Sequence, residues 1–595
     1  MNIISNQRSK TGLLKSIDAL YIPAFVIAII IPVIVLRITV LNNGQMAQVL
    51  LNTQSYDDYY SLIKMISLFV ATIFLFFIFV FKRDIEVKLH RSLLLLPPYI
   101  ACILLSVIFS DYKISALFGI VDHFEGALTQ LSYCFVLVFF YCLVNKTSNA
   151  TTIFKMICIG SFVVAFIGLL QFTGILFTER PYEISSTIGN SNYVGTYAVL
   201  LLPVAFALIL IETVTIKKLL YIMLYFGPTF FLLIASQSRA GYIAFAVTFI
   251  LFLILMRHEL KKQLKWFFAT TIYAVLIFML MNTYSNGAIW NEVRSLNPFN
   301  RKVQQEKLIF EDVMIDGINA EIETNKWALE VEYTKEGFIF RDSESKAILH
   351  EKDSNGIGIR FFQEPYTDII GYEIKEEDYV WLMLEMDGKD IEFIHINDQL
   401  KVVGYNGKVT DIETADSFGF IGRESFASGR GYIWSRSIPL LKSAIFIGYG
   451  PDTFTFIFPQ NDIVGKLNYG AIWAIISKPH NWYLQIALGS GVLSLVCILA
   501  LIIWFIIKAL MSICTSLPAP MPSIQEDGMG VQYTNRRIII ATIVLSVIGY
   551  CVTGIFNDSV VAVSPIFWML LGIGIKLASA PTASITPLSG TIVLL

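Results

Sequence analysis

Residues 478–510 read KPHNWYLQIALGSGVLSLVCILALIIWFIIKAL. Between Lys478 and Lys508 there is no Asp, Glu, Lys or Arg. A helix needs about 20 apolar residues to cross a bilayer, and this run exceeds that. In lipid a chain must satisfy its own backbone polar groups, so the stretch is expected to be a helix and not an open strand. The Lys-Pro-His-Asn group at its start then sets an ammonium, an imidazole and an amide at one membrane boundary.

The same criterion, carried outward, gives twelve segments: 18–37, 61–82, 92–110, 127–145, 151–176, 193–212, 219–236, 239–257, 264–283, 482–509, 537–556 and 559–577. Composition agrees, with 55% hydrophobic and 15% charged residues, against about 25% charged in ordinary soluble domains. The net charge of -2 leaves no basic footprint for nucleic acid. Basic residues gather in 82–91, 216–218, 257–265 and at Arg536 and Arg537. With an even number of spans and both termini cytoplasmic, all of these fall inside the cell. The loops near Asp57–Asp58, Asp111–Glu125, Glu179–Asn192 and Asn557–Asp558 fall outside, with the polar block that follows the ninth segment.

Within that block the alternation of WALEVEYTKEGFIF (327–340), YVWLMLEM (379–386), KDIEFIHIN (389–397) and QLKVVGY (399–405) predicts antiparallel strands with tight turns. The expectation is a small β-sandwich or jelly-roll-like domain. Its aromatics Phe361, Phe362, Tyr366 and Trp381 read either as a platform for carbohydrate or as its core. All seven cysteines lie in or beside apolar segments and none in the polar block, so they read as small buried hydrophobes.

The expected fold is a polytopic α-helical membrane protein of about 12 transmembrane helices, with a β-rich extracytoplasmic insert in the large loop before the tenth helix. The expected divisions are helices 1–9 in 1–283, a linker at 284–309, the insert at 310–422, an extracytoplasmic loop at 423–481 and helices 10–12 in 482–595 with a cytoplasmic linker at 510–536.

Three groups of residues could carry chemistry. SQSRAG (236–241) interrupts about forty apolar residues. A charge near membrane depth costs about 2.5–3.5 kcal/mol on insertion scales and normally faces protein or water. Arg239 is therefore either a bidentate phosphate ligand or a turn residue reaching to headgroups. SGRGYIWSR (428–436) sets Arg430 between glycines at the start of a helix, where free N–H groups and the helix dipole favour an anion. Alternatively it is an interfacial helix with Trp434 and Arg436 at the headgroups. In KPHNW (478–482), His480 is the readiest general base at neutral pH, or else a capping residue. The other five histidines show no metal-ligand spacing.

Taken in order, these groups resemble the O-antigen ligase and O-antigen polymerase superfamily of bacterial envelope enzymes. The resemblance rests on EGALTQLSYC (125–134), TIGNSNYVGTYAVLLLP (187–203), SQSRAG (236–241), SGRGYIWSRSIPLLKSAIFIGYGPDTF (428–454) and KPHNWYLQIALGSG (478–491). The chain departs from the family in its insert, in Ser494 where a second glycine is common, and in lacking an external cysteine or acidic pair for covalent catalysis.

The resemblance implies transfer of a glycan from a polyprenyl-diphosphate carrier to a glycan, lipid-linked or protein acceptor. The reaction would occur at the outer face of the bacterial cytoplasmic membrane, without metal or cofactor. By this resemblance 423–481 becomes the catalytic loop, and His480, Arg430 and Arg239 become the catalytic residues. Asn481, Arg436, Lys478 and Trp434 would contact substrate. The rival readings are a lipid-linked glycan transporter or flippase and a non-catalytic glycan-binding membrane protein. A transporter would carry inverted repeats and several intramembrane charges. No repeat and few such charges are present.

Overall fold

The computed structural model describes residues 20–41, 55–81, 89–144, 146–296, 308–377, 379–515 and 528–579. Most of the basic stretch 82–91 and the middle of the expected linker 510–536 lie outside the described residues. The protein is largely helical with a separate sheet region. Among the described residues, eight helices are long and apolar enough to cross a membrane: α2 (Leu62–Phe81), α3 (Arg91–Phe109), α5 (Thr147–Phe172), α6 (Ser191–Ile211), α7 (Thr215–Ala235), α9 (Leu264–Tyr284), α13 (Val492–Thr515) and α14 (Gly528–Thr553). Four further expected segments hold shorter apolar helices: α1 (Tyr21–Val33), α4 (Ala127–Leu143), α8 (Arg239–Leu255) and α15 (Ser564–Ser579). A pair of antiparallel strands, β1 (Ile38–Leu41) and β2 (Ser55–Asp58), precedes α2.

α6 runs through the middle. It has no charged side chain between its N-cap Asn190 and Glu212, and nearly all of it is buried against α5, α7, α8 and α14. At Gly195 the backbone approaches the turn before α8 closely: an added Cβ would meet the Ser238 Cβ at 2.6 Å. The absence of a side chain there lets the Ser238–Arg239 turn sit on the first turns of α6.

The two ends of the bundle differ. At one end, Arg537 pairs with Glu259 at 3.0 Å, Lys218 donates to Gln263, and Arg536 donates to the Leu577 carbonyl at 2.7 Å. The described basic residues of the loops at 216–218 and 257–265 thus share an end with Arg536 and Arg537. The other end carries the starts of α4, α6, α8 and α15 and the end of α14.

The tenth expected span, 482–509, is two helices. α12 (Trp482–Ser490) stops at Gly491, and α13 continues from Val492. The break has a partner. Tyr449 N and Gly450 N donate to the Leu488 and Gly489 carbonyls at 2.8 and 3.0 Å, and Val492 N donates to Ala444 O at 2.8 Å. Gly491 has φ +99°, and a Cβ there would meet Phe446 O at 2.7 Å. Segment 444–450 so satisfies the backbone groups that the break frees. Two linker boundaries also change. Residues 284–309 contain α10 (Ala288–Ser295), and both ends of 510–536 belong to α13 and α14.

The insert is a sandwich of two antiparallel sheets. One holds β3 (Phe310–Asp316), β4 (Asn319–Thr324), β5 (Ala328–Thr334) and β6 (Gly337–Arg341). The other holds β7 (His350–Lys352), β8 (Gly358–Phe361), β9 (Ile370–Lys375), β10 (Val380–Met386), β11 (Lys389–Ile396), β12 (Gln399–Val403) and β13 (Val409–Thr410). Burial alternates along β10 and β11 as the sequence pattern does. Neighbours in each sheet are consecutive in the chain, so the described strands form meanders and not a jelly roll. Short turns impose this. Between β10 and β11, Asp387 and Gly388 both take left-handed φ (53° and 69°), the requirement of a tight hairpin.

Phe361 and Tyr366 are core, and Trp381 donates its indole N–H to Glu392 at 3.2 Å; only Phe362 of the four expected aromatics is exposed. The core also takes in Ile463, Leu467 and Ile472, and the Asn468 amide brackets the Phe310 peptide at 2.8 and 3.0 Å. Residues 463–472 therefore pack with the insert although they lie beyond its expected limit at 422.

Candidate functional site

The site forms where the triplet Asn557-Asp558-Ser559, between α14 and α15, meets four other parts of the chain. Asn557 Nδ2 donates to Thr196 Oγ1 at 2.9 Å and so binds the triplet to α6. Ser559 Oγ donates to Glu125 Oε2 at 2.9 Å, and its N–H donates to Gln485 on α12 at 2.7 Å. Asp558 is buried. Its Oδ1 accepts from Asn481 N at 3.0 Å, and its Oδ2 lies 3.3 Å from His480 Nδ1. Burial works to raise the Asp558 pKa, but His480, Lys478 and the Asn481 N–H outweigh it and hold the carboxyl below its usual range.

His480 has φ +48°, and its side chain is 43% exposed. Histidine adopts this left-handed region more readily than most residues. The backbone around it is held on both sides. Trp434 Nε1 donates to Pro479 O at 3.0 Å, and Asn481 caps α12 through Leu484 N at 3.0 Å while its Nδ2 donates to Ile555 O at 3.0 Å. The ring therefore presents Nδ1 to a buried carboxylate and leaves Nε2 for a ligand.

Arg430 arrives from α11 (Phe426–Leu440). Ala427, Ser428 and Gly429 all take left-handed φ, so the right-handed helix begins at Arg430. A Cβ on Gly429 would lie 2.0 Å from the Tyr469 ring, which no side chain could accommodate. Arg430 Nε donates to Phe556 O at 2.8 Å and Nη1 to Ala427 O at 2.9 Å. Among the described residues no carboxylate pairs with it. Burial lowers its pKa, opposed by the charge of Asp558, and a guanidinium stays charged regardless.

Lys478 lies over the Tyr193 ring at 5.5 Å, with no hydrogen bond or ion pair among the described residues. Burial lowers its pKa, while Asp558, Asp452, Asp122 and Glu125 oppose the shift. Beside it is a small cavity of about 20 Å³, lined in part by His123, Glu125, Asp452, Lys478 and Ser559, room for roughly one water. Asp452 contacts His123 Nδ1 at 3.0 Å and accepts from Ile120 N and Glu125 N at 2.9 and 3.2 Å. Glu125 also accepts from Tyr133 at 2.6 Å, and burial pushes its pKa up to about 8. Folding thus brings Glu125, Asp452 and Asp558 to one place.

The remaining sequence-predicted residues fare differently. Arg239 is 51% exposed and pairs with Glu292 of α10 at 2.6 Å. It joins the rest indirectly: Ser238 Oγ donates to Asn192 Oδ1 at 3.2 Å, and Asn557 Nδ2 contacts Asn192 O at 3.3 Å. Trp434 shares a face of α11 with Arg430 and positions the His480 loop through Pro479. Arg436 is taken up elsewhere, in a buried pair with Asp462 at 2.7 Å and over the Tyr432 ring at 5.3 Å. Six residues after Arg430, it points about 120° away around the helix.

No family model matches the chain, and neither a curated protein nor a solved structure matches it.

Two predictions follow from these contacts. Arg436→Ala strands a buried carboxylate and is expected to cost about 3–5 kcal/mol of stability. An apparent melting temperature equal to wild type in the same detergent would refute this. For Glu125, the folded-state pKa of about 8 lies above its ordinary 4.5. The stability it contributes is complete below the lower value and is lost as pH rises through the upper one. Glu125→Gln should flatten the fall in melting temperature between those limits, and an unchanged slope would remove the assignment.

Proposed function

We propose that the chain is a twelve-span membrane glycosyltransferase that moves a glycan from a polyprenyl-diphosphate carrier to an acceptor hydroxyl on the extracytoplasmic side. The observation that carries this reading is the meeting of Arg430, free of any carboxylate among the described residues, with a half-exposed His480 backed by buried Asp558. Support for the orientation comes from the basic loops gathered at the opposite end of the bundle.

The acceptor hydroxyl attacks the anomeric carbon as its bond to the diphosphate breaks, with inversion. The hydroxyl proton passes to His480 Nε2, and Asp558 stabilises the imidazolium that forms. The departing diphosphate gains negative charge, which Arg430 and Lys478 meet as fixed cations. Arg239 joins them only if the diphosphate displaces Glu292.

An apolar groove of about 380 Å³ between α6, α7, α8 and α9 suits the carrier's tail, with Phe206, Phe230, Phe249 and Phe278 among its walls. Phe245, also in the wall, follows Arg239 by six residues, about 9 Å along α8.

The deciding experiment supplies purified protein in lipid with a carrier-linked glycan and follows release of free polyprenyl diphosphate. Acceptor-dependent release supports transfer. Binding without release would make the protein a receptor, and movement of intact donor across the bilayer would make it a flippase.

A further inference from the structure

A third, larger opening lies between the β-rich insert and the helical core. It is a polar cleft of about 670 Å³, within the range of small-molecule sites. The insert's exit chain supplies Tyr405, Glu413 and Asp416; the core supplies Tyr112, Phe456 and Asn461. The two sides are tied together by backbone bonds: Glu413 N to Asn461 O at 3.0 Å, Asn406 N to Trp473 O at 3.0 Å, and Phe418 N to Ser435 O at 2.8 Å. These bonds make the cleft part of the fold.

Its chemistry is specific. Tyr112 and Phe456 stack face to face at 4.4 Å with 15° between their planes, so each covers one face of the other and keeps only its outer face for a ligand. Glu413 and Asp416 are exposed and form no ion pair among the described residues. The Asn461 side-chain oxygen is shielded from solvent and has no hydrogen-bond donor. Planar carboxylates suit hydroxyl groups, and the outer face of an aromatic ring suits the apolar face of a sugar. Lys442 and Arg436 also line the cleft, Arg436 paired with Asp462, so its walls carry both signs of charge, and these polar walls exclude a lipid chain.

The cleft adjoins the transfer site without overlapping its charged groups. Arg436, in the cleft wall, stands about 9 Å along α11 from Arg430. The short helix Phe454–Ile457 divides the two spaces, with Phe454 facing the cavity beside Lys478 and Phe456 facing the cleft.

We propose that this cleft is a saccharide subsite, which holds a neutral stretch of glycan some residues away from the bond that is made or broken. The insert's role is then to supply one wall of a glycan channel that the helices alone do not complete. The proposal rests on the glycan-transfer reading and can fail independently of it.

The test uses the full-length protein in lipid nanodiscs, without donor, and polysaccharide purified from the host's own cells as the probe. The pair Glu413→Gln and Asp416→Asn, both exposed and remote from His480, leaves folding intact. It should weaken binding at least tenfold and, in a separate assay with carrier-linked donor and saturating acceptor, leave release of carrier diphosphate unchanged. A second variant, Phe456→Ala, should weaken binding in the same way. Equal binding by wild type and the Glu413/Asp416 variant would overturn the proposal, as would absence of binding by wild type. Absence of carrier-diphosphate release with glycan binding intact would instead remove the transfer reading and leave the subsite standing.

Discussion

His480→Ala is expected to lower glycan transfer by about 10²–10⁴-fold, the usual contribution of a positioned general base. The protein should still reach the membrane in normal amount, because the ring is half-exposed and its contact with Asp558, at 3.3 Å, is longer than a well-formed hydrogen bond. Loss of the imidazole leaves Asp558 with Lys478 and the Asn481 N–H, so the surrounding loop keeps its anchors. Donor affinity should change little, since the ring's task is to take the acceptor proton. The check is single-turnover transfer with carrier-linked donor in excess. Unimpaired turnover would remove His480 from the mechanism. Asp558→Asn should resemble His480→Ala in rate, because it withdraws the charge that stabilises the imidazolium.

Arg430→Lys is expected to cost about 10²–10³-fold in turnover, comparable to removal of one preorganised donor to a developing anion. The charge is retained, so a point charge in solution would predict a mild effect. The geometry argues otherwise. Two guanidinium nitrogens are already committed to Phe556 O and Ala427 O, and this fixes the direction of the remaining donors. An ammonium on a flexible stem keeps neither anchor, and its donors rotate. Arg430→Lys should also loosen the junction of α11 with the end of α14, seen as faster proteolysis near residues 423–430. Wild-type turnover by this variant would exclude bidentate recognition of the diphosphate.

Much of the architecture was legible because apolar length is a local property. Each of the twelve expected segments carries apolar helix, and the strands of the insert follow the period-two alternation in 327–405. What escaped was anything set by a distant partner. The break at Gly491 looks like one long hydrophobic run in sequence, and it opens because segment 444–450 supplies its hydrogen bonds. Four of the named residues, His480, Asn481, Lys478 and Arg430, meet around Asp558, whereas Arg239 is joined through Asn192 and held by Glu292.

Asp558 itself was passed over as an ordinary loop residue. The available signal was the polar triplet Asn557-Asp558-Ser559 wedged between two apolar helices, a costly place for a carboxylate unless cations meet it. Glu125 stood inside a quoted motif without a role, and its partner Ser559 is hundreds of positions away.

Sequence by itself determined that most of this chain is apolar helix and that one polar block is a β-sheet domain, because bilayer thickness and pleat period are written in consecutive residues. Tertiary structure alone decided which charges face one another: Arg436 went to Asp462, Arg239 to Glu292, and Arg430 was left for a ligand. The physical reason is that an ion pair depends on helix rotation and on the crossing of segments far apart in the chain, and neither is encoded in local composition.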